Sequence, residues 1–234
     1  LTMLKLLDVT KRLEHKCHKF ADSKKCPNEL KSYYFKELPS ASSLLKDLEI
    51  ISLDFETTGI NPKEDYILSM GGISIVKGVI DFQTSFHYYV NNSKYIKKDS
   101  AVINQITPEQ LQQGKDPKVA IKDLLDKISG KVVLVHCQFI ETNFIKQALN
   151  LKQRDPLPFI VLDTMNIERK LTEHTSGKQD LRLSAIRQKR GLPEYDAHNA
   201  LVDSLATAEV FLSQLKDVYG NKPKYLSQVY KRSH

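Results

Sequence analysis

The residues whose types and spacing could do chemistry are Asp54 and Glu56, separated by Phe55, and His198 and Asp203 far downstream. The run Glu49-Ile50-Ile51-Ser52-Leu53-Asp54-Phe55-Glu56 is β-branched and apolar until its end, the pattern of a buried strand. Strand alternation puts Asp54 and Glu56 on one face. Carboxylates side by side repel unless a cation or a proton sits between them. Hard oxygen ligands on a rigid edge suit Mg²⁺ or Mn²⁺. Thr57-Thr58-Gly59 then turns the chain and offers N–H groups and hydroxyls beside such a site. Taken alone, Asp-x-Glu is common and amounts to a polar strand end.

His198-Asn199-Ala200-Leu201-Val202-Asp203 reads as the opening of a helix. Five helical steps rotate a side chain by about 140°, so His198 and Asp203 would not share a face if both were helical. The useful geometry puts His198 just before the helix, Asn199 near the N-cap and Asp203 one turn in. An imidazole held there could act as a general base near neutral pH. By itself the segment is described equally well as a capping histidine followed by a solvated acid.

The elements that must position these groups follow from pattern. Strands are expected at Glu49 to Glu56, Tyr66 to Val76 and Val79 to Val90, with Lys77-Gly78 as a hairpin turn. Thr107-Pro108-Glu109 reads as a helix start. Pro117 to Ser129 reads as a helix with Val119, Ile121, Leu124, Leu125 and Ile128 inward. Val132 to Val135 and Phe159 to Leu162 are further strands, separated by a helix over Phe139 to Leu149. Helices from Leu181 to Arg190 and from Ala200 to Leu215 close the series, the second with an expected stripe of Leu201, Leu205, Ala208, Leu212 and Leu215. The sum is a mixed α/β sheet, three antiparallel strands and then two more joined through a helix.

The chain has 234 residues, 41% hydrophobic and 27% charged, with a formal net charge of +7, the balance of a globular protein with a polyanion as one suitable partner. Three cysteines, Cys17, Cys26 and Cys137, form neither a disulfide framework nor a zinc knuckle, and a reducing cytoplasm is the expected compartment. No apolar run approaches a membrane span. Residues 1–48 are read as a basic helical extension, a cap whose aromatics pack on the main domain; 49–217 as the main domain; and 218–234 as a C-terminal tail.

Ser52-Leu53-Asp54-Phe55-Glu56-Thr57-Thr58-Gly59 together with Ala197-His198-Asn199-Ala200-Leu201-Val202-Asp203 resembles the histidine subclass of the DEDD 3′→5′ exonuclease superfamily. The resemblance covers roughly residues 49 to 216 and is nearest to the proofreading epsilon subunit of bacterial DNA polymerase III and its stand-alone homologues. It implies a ribonuclease H-like fold and two divalent ions, Mg²⁺ or Mn²⁺, held by Asp54, Glu56, Asp203 and Glu141. It implies His198 as the base that takes a proton from water. The implied substrate is a single-stranded 3′ end, DNA favoured, with release of nucleoside 5′-monophosphates and with possible polymerase association. Phe55, Thr57, Thr58, Ile106 and Thr107 are the implied substrate contacts.

Two departures accompany the resemblance. Val135-His136-Cys137-Gln138-Phe139-Ile140-Glu141 stands where the family usually has a His-Asn and a Phe-Asp pair, so Glu141 replaces the expected Asp. Asn104 and Gln105 replace a His-Gly pair beside the terminal nucleotide. They keep open a catalytically decayed binding module as one alternative, and no residue decides between DNA and RNA. Seven basic residues (169, 170, 178, 182, 187, 189, 190) precede the His198 segment and are read as a path for a phosphate backbone.

Overall fold

A computed structural model describes residues 8–95, 105–175, 177 and 179–234. Asn104 and Lys178 fall outside them. The strands are β1 (Ile50–Thr57), β2 (Ile67–Val76), β3 (Val79–Tyr89), β4 (Val132–Val135) and β5 (Ile160–Asp163). They form one five-stranded sheet in the order β3-β2-β1-β4-β5. β1 pairs antiparallel with β2 and parallel with β4; β2 pairs antiparallel with β3, and β4 parallel with β5. This is the expected sheet. Lys77 and Gly78 turn the hairpin with φ of 52° and 78°, the left-handed geometry that matches the strand twist.

The helices are α1 (Asp8–Ala21), α2 (Lys31–Tyr34), α3 (Pro108–Gln112), α4 (Pro117–Ile128), α5 (Gln138–Ala148), α6 (Thr164–Thr172), α7 (Leu183–Lys189), α8 (Ala200–Tyr219) and α9 (Leu226–Ser233). Strand alternation divides β1 between two cores. Ile51, Leu53 and Phe55 face Ala120, Ile121, Leu124 and Ile128 of α4 and Phe144 and Ile145 of α5. Ile50 faces the other way, with Ile73, Ile75, Leu134 and Leu162, against α6, α8 and α9. Ser52 shares that second face and its hydroxyl donates to the Ser204 carbonyl of α8 at 2.7 Å. Asp54 and Glu56 follow in the same alternation, which aims the acids at the start of α8.

Several helical expectations need correction. Val119 is 49% exposed and Ala120 takes its place in the core. The expected stripe of α8 is found in part: Ala208 and Leu215 are buried and Leu205 and Leu212 pack half-buried against the second core, while Leu201 is half-buried and Ala200, Ser204, Thr207, Phe211 and Gln214 join the buried face. At its first turn the helix lies close to β2: a Cβ on Gly71 would stand 2.2 Å from the backbone of Ala200 and Leu201. α6 and α9 were not read from the sequence. Asp163 starts α6 by accepting from the amides of Met165 and Asn166. α9 buries Leu226 and Val229 in the second core, and its Ser233 hydroxyl accepts from the Asp163 amide at 2.8 Å.

The aromatics of the N-terminal segment pack with Phe20, Leu30 and Leu125. The Tyr33 hydroxyl donates to Asp126 at 2.7 Å, and that of Tyr34 to the Pro156 carbonyl at 2.9 Å.

Candidate active site

The acids meet at the C-terminal ends of β1 and β4, the edge of a parallel pair at which α/β sheets place their crevices. Asp54, Glu56 and Asp203 each offer an oxygen within 4.8 Å of the others. Burial pushes all three carboxyls up. Glu56 is raised to about 8, with Asp203 adding to the effect. Asp54 stands well above the usual carboxylate range, through burial first and then the charges of Glu141, Asp203 and Glu56. Asp203 is raised by burial, against the amides of His198 and Asn199, which donate to it.

Glu141 enters from the first turn of α5 and is 3% exposed. It lies outside the group of three but near enough for its charge to be the largest of those acting on Asp54. Burial raises its own carboxyl, and its Oε2 has no hydrogen-bond partner. A buried carboxylate oxygen without a donor is costly unless a cation or proton meets it. Four acids of this kind fit divalent cations: the donors are all hard oxygens, and a cation would relieve the repulsion that raises their pKa values.

The approach to α8 has the geometry that the spacing required. Asn199 is the N-cap, its Oδ1 accepting from the amides of Leu201 and Val202. His198 precedes it with φ of 69°, and the amides of His198 and Asn199 donate to Asp203 Oδ2 at 2.8 and 3.2 Å. His198 lines two cavities and stands with Glu56 where they adjoin. The larger, about 860 Å³, also takes in Asp54, Phe55, Thr57, Ile60, Glu141 and Asp203.

The model of the exonuclease family RNase T matches residues 51–211. The chain belongs to this family. Among curated relatives, the DNA polymerase III epsilon subunit of Buchnera aphidicola subsp. Baizongia pistaciae is 29% identical over 171 residues, covering 69% of this chain and 68% of that protein. The PolC-type DNA polymerase III of Thermotoga maritima is 28% identical over 178 residues, 74% of this chain but only 12% of that relative's length. In fold the chain is similar to E. coli exonuclease I, solved with single-stranded DNA, at a TM-score of 0.61 and 15% identity, covering 73% of this chain and 41% of that one. The expected resemblance and the ribonuclease H-like fold are both found.

Within this exonuclease fold the expected contact residues divide. Phe55 and Thr57 line the larger cavity, and Ile106 lines the smaller, of about 310 Å³. Thr58 lines neither; it is buried with its hydroxyl donating to Asp65 at 2.9 Å. Thr107 caps α3 in a capping box with Gln110. The Thr57 hydroxyl donates to the Gly59 carbonyl at 2.6 Å, so the turn uses hydroxyls that the sequence offered to the site.

Of the seven basic residues read as a path, three carry ion pairs among the described residues. Arg187 is 4% exposed and paired with Glu209; Arg190 bridges Glu168 and Asp217; Arg182 is paired with Asp180. Arg182, whose side chain is 80% exposed, and Arg187 also line the larger cavity. The smaller cavity carries groups that the sequence did not single out: Ser69 Oγ and His87 Nε2 are buried on its wall without partners. A histidine inside a strand gives no signal of its own. His136 hydrogen-bonds Thr164 Oγ1 through Nδ1 at 2.8 Å and the Leu181 carbonyl through Nε2 at 2.9 Å.

Proposed function

We propose that this chain is a metal-dependent 3′→5′ exonuclease that removes nucleoside 5′-monophosphates from single-stranded ends, DNA favoured. The observation that carries the reading is the meeting of Asp54, Glu56 and Asp203 within 4.8 Å beside His198. In this reading those acids and Glu141 hold two divalent ions, Mg²⁺ or Mn²⁺. Such ions supply Lewis acidity at the scissile phosphate and stabilise charge on the departing 3′ oxygen.

The chain's own residues do the rest. His198 sits on an exposed loop over the acids and accepts the proton of the attacking water. Phe55, Thr57 and Ile60 on the larger cavity, and Ile106 on the smaller, flank the terminal nucleotide. Thr58 and Thr107 act at one remove, by bracing the turn after β1 and the start of α3. The relatives named as polymerase subunits make a polymerase the proposed partner to test by co-purification.

The test is stepwise shortening of a 5′-labelled oligonucleotide with Mg²⁺ or Mn²⁺, run in parallel on matched DNA and RNA strands. Asp203→Ala is expected to abolish it. A wild-type chain inert with both metals on both strands would sink the reading. Calorimetry then separates out a decayed module, which would bind no pair of divalent ions.

A further inference from the structure

The loop that carries His198 is exposed along nearly all of residues 191–199, yet it is tied to a buried charge. Arg187, on α7, donates through Nη1 to the Ala206 carbonyl at 3.0 Å and to Glu209 Oε2 at 2.7 Å. Its Nη2 donates to the Pro193 carbonyl at 2.6 Å. The Tyr195 ring lies over the guanidinium, 4.3 Å from centroid to carbon, and its hydroxyl donates to Glu209 Oε1 at 3.0 Å. The Leu192 amide donates back to the Arg187 carbonyl at 3.0 Å. Glu209 thus uses one carboxylate oxygen on α7 and the other on the loop.

On the far side of His198 the chain is tied down again, by the Asp203 carboxylate. Only Asp196 and Ala197 lie between Tyr195 and His198. His198 itself takes a left-handed backbone conformation, which a residue with a Cβ keeps only where its surroundings hold it. A buried ion pair is weak evidence for stability, since apolar residues of equal size would pack as well. A planar fork that binds two carbonyls and a carboxylate while stacking on a ring is a device for geometry, and lysine could not replace it.

We propose that Arg187, Glu209 and Tyr195 are positioning residues: together they clamp the 191–197 loop so that His198 is held over the carboxylates. The proposal rests on His198 being the proton acceptor of the function proposed above. It also accounts for an arginine that the basic-path reading would have given to nucleic acid.

The test uses Tyr195→Ala, which alters a side chain 37% exposed, and Arg187→Lys. With Mn²⁺ and a single-stranded oligonucleotide, each is expected to lower kcat 10- to 100-fold while KM stays within threefold. In a His198→Ala background, Tyr195→Ala should cost less than twofold, because its effect runs through His198. A raised KM with kcat retained would show Tyr195 to be a base-stacking contact and overturn the clamp.

A second readout needs no activity. In protein with ¹³C-labelled histidines, the ring signal of His198, assigned by its loss in His198→Ala, should shift or broaden in Arg187→Lys and Tyr195→Ala. The signals of the other six histidines should stay in place. An unmoved His198 signal overturns the clamp. A moved signal in a chain that hydrolyses nothing would leave the clamp standing and sink only the exonuclease reading.

Discussion

At the residue scale the site is an arrangement of repelling acids. Glu56 ordinarily titrates near 4.5 and is raised to about 8 in the fold. The folded chain therefore binds more protons than the unfolded one between those values. Its contribution to metal-free stability is complete below about pH 4.5 and is lost as pH rises through about 8. The full swing is on the order of 5 kcal/mol at most, since one pKa unit is about 1.4 kcal/mol. In the function proposed above, divalent ions would displace those protons. Mn²⁺ titrated at pH 6.5 into two buffers of different ionisation enthalpy should give different heats, and equal heats would mean acids already ionised. Glu141→Gln should leave the metal-free thermal midpoint unchanged or raised, because a buried group whose ionisation is disfavoured and would repel Asp54 is replaced by a neutral one of the same shape. It should weaken Mn²⁺ affinity or activity about 10- to 100-fold, the range seen when groups around a metal are altered. Unchanged activity with Mn²⁺ would place Glu141 outside the working site.

At the element scale the site depends on how closely α8 approaches β2. Gly71 makes that approach possible, for any Cβ there meets the backbone of Ala200 and Leu201 at 2.2 Å. Backbone atoms cannot swing aside as a long side chain would. Gly71→Ala is expected to destabilise the fold by about 1–3 kcal/mol or more, the usual cost of overpacking. It should also lower activity, since α8 carries Asp203 and follows His198. Urea unfolding with the Mn²⁺ assay checks both, and a variant as stable and active as wild type refutes the close-contact account. Asp163 plays a parallel part. Its carboxylate accepts from the amides of Cys137 and Gln138 as well as from those of Met165 and Asn166, so one acid fixes the starts of α5 and α6.

At the scale of the whole molecule, the segment beyond α8 is part of the core. Leu226 and Val229 of α9 are 0% and 1% exposed. Each buried side chain of this kind contributes roughly 1.5–3 kcal/mol. Their sum is a large share of the roughly 5–15 kcal/mol that holds a domain folded. Truncation after Lys224 should therefore abolish cooperative thermal unfolding or lower its midpoint by more than 10 °C or so, as scanning calorimetry would show. The Ser233 hydroxyl that meets the Asp163 amide would be lost in the same cut. Among the described residues no helix is long and apolar enough to cross a membrane.

The sequence by itself determined what is local. Alternation in β1 placed Asp54 and Glu56 on one face, and helical arithmetic put His198 outside α8 with Asn199 as its cap; both follow from the repeat of a single element. The antiparallel run of β1, β2 and β3 was legible because short connections pair neighbouring strands, whereas the place of β4 beside β1 came only with the fold. The polar part of the buried face of α8 was not legible, because Ser204 and Gln214 look like surface residues until backbone partners satisfy them, whereas Ala208 and Leu215 of the expected stripe are buried. Ser204 Oγ donates to the Leu201 carbonyl, and Gln214 Nε2 to that of Thr164. The ion pairs of Arg187 and Arg190 were hidden likewise, for Glu168, Glu209 and Asp217 lie at least 22 residues from their partners. Periodicity along a chain records which way a side chain faces. Whether a charge is free for a ligand or already paired depends on what the fold brings beside it, and only the tertiary structure decides that.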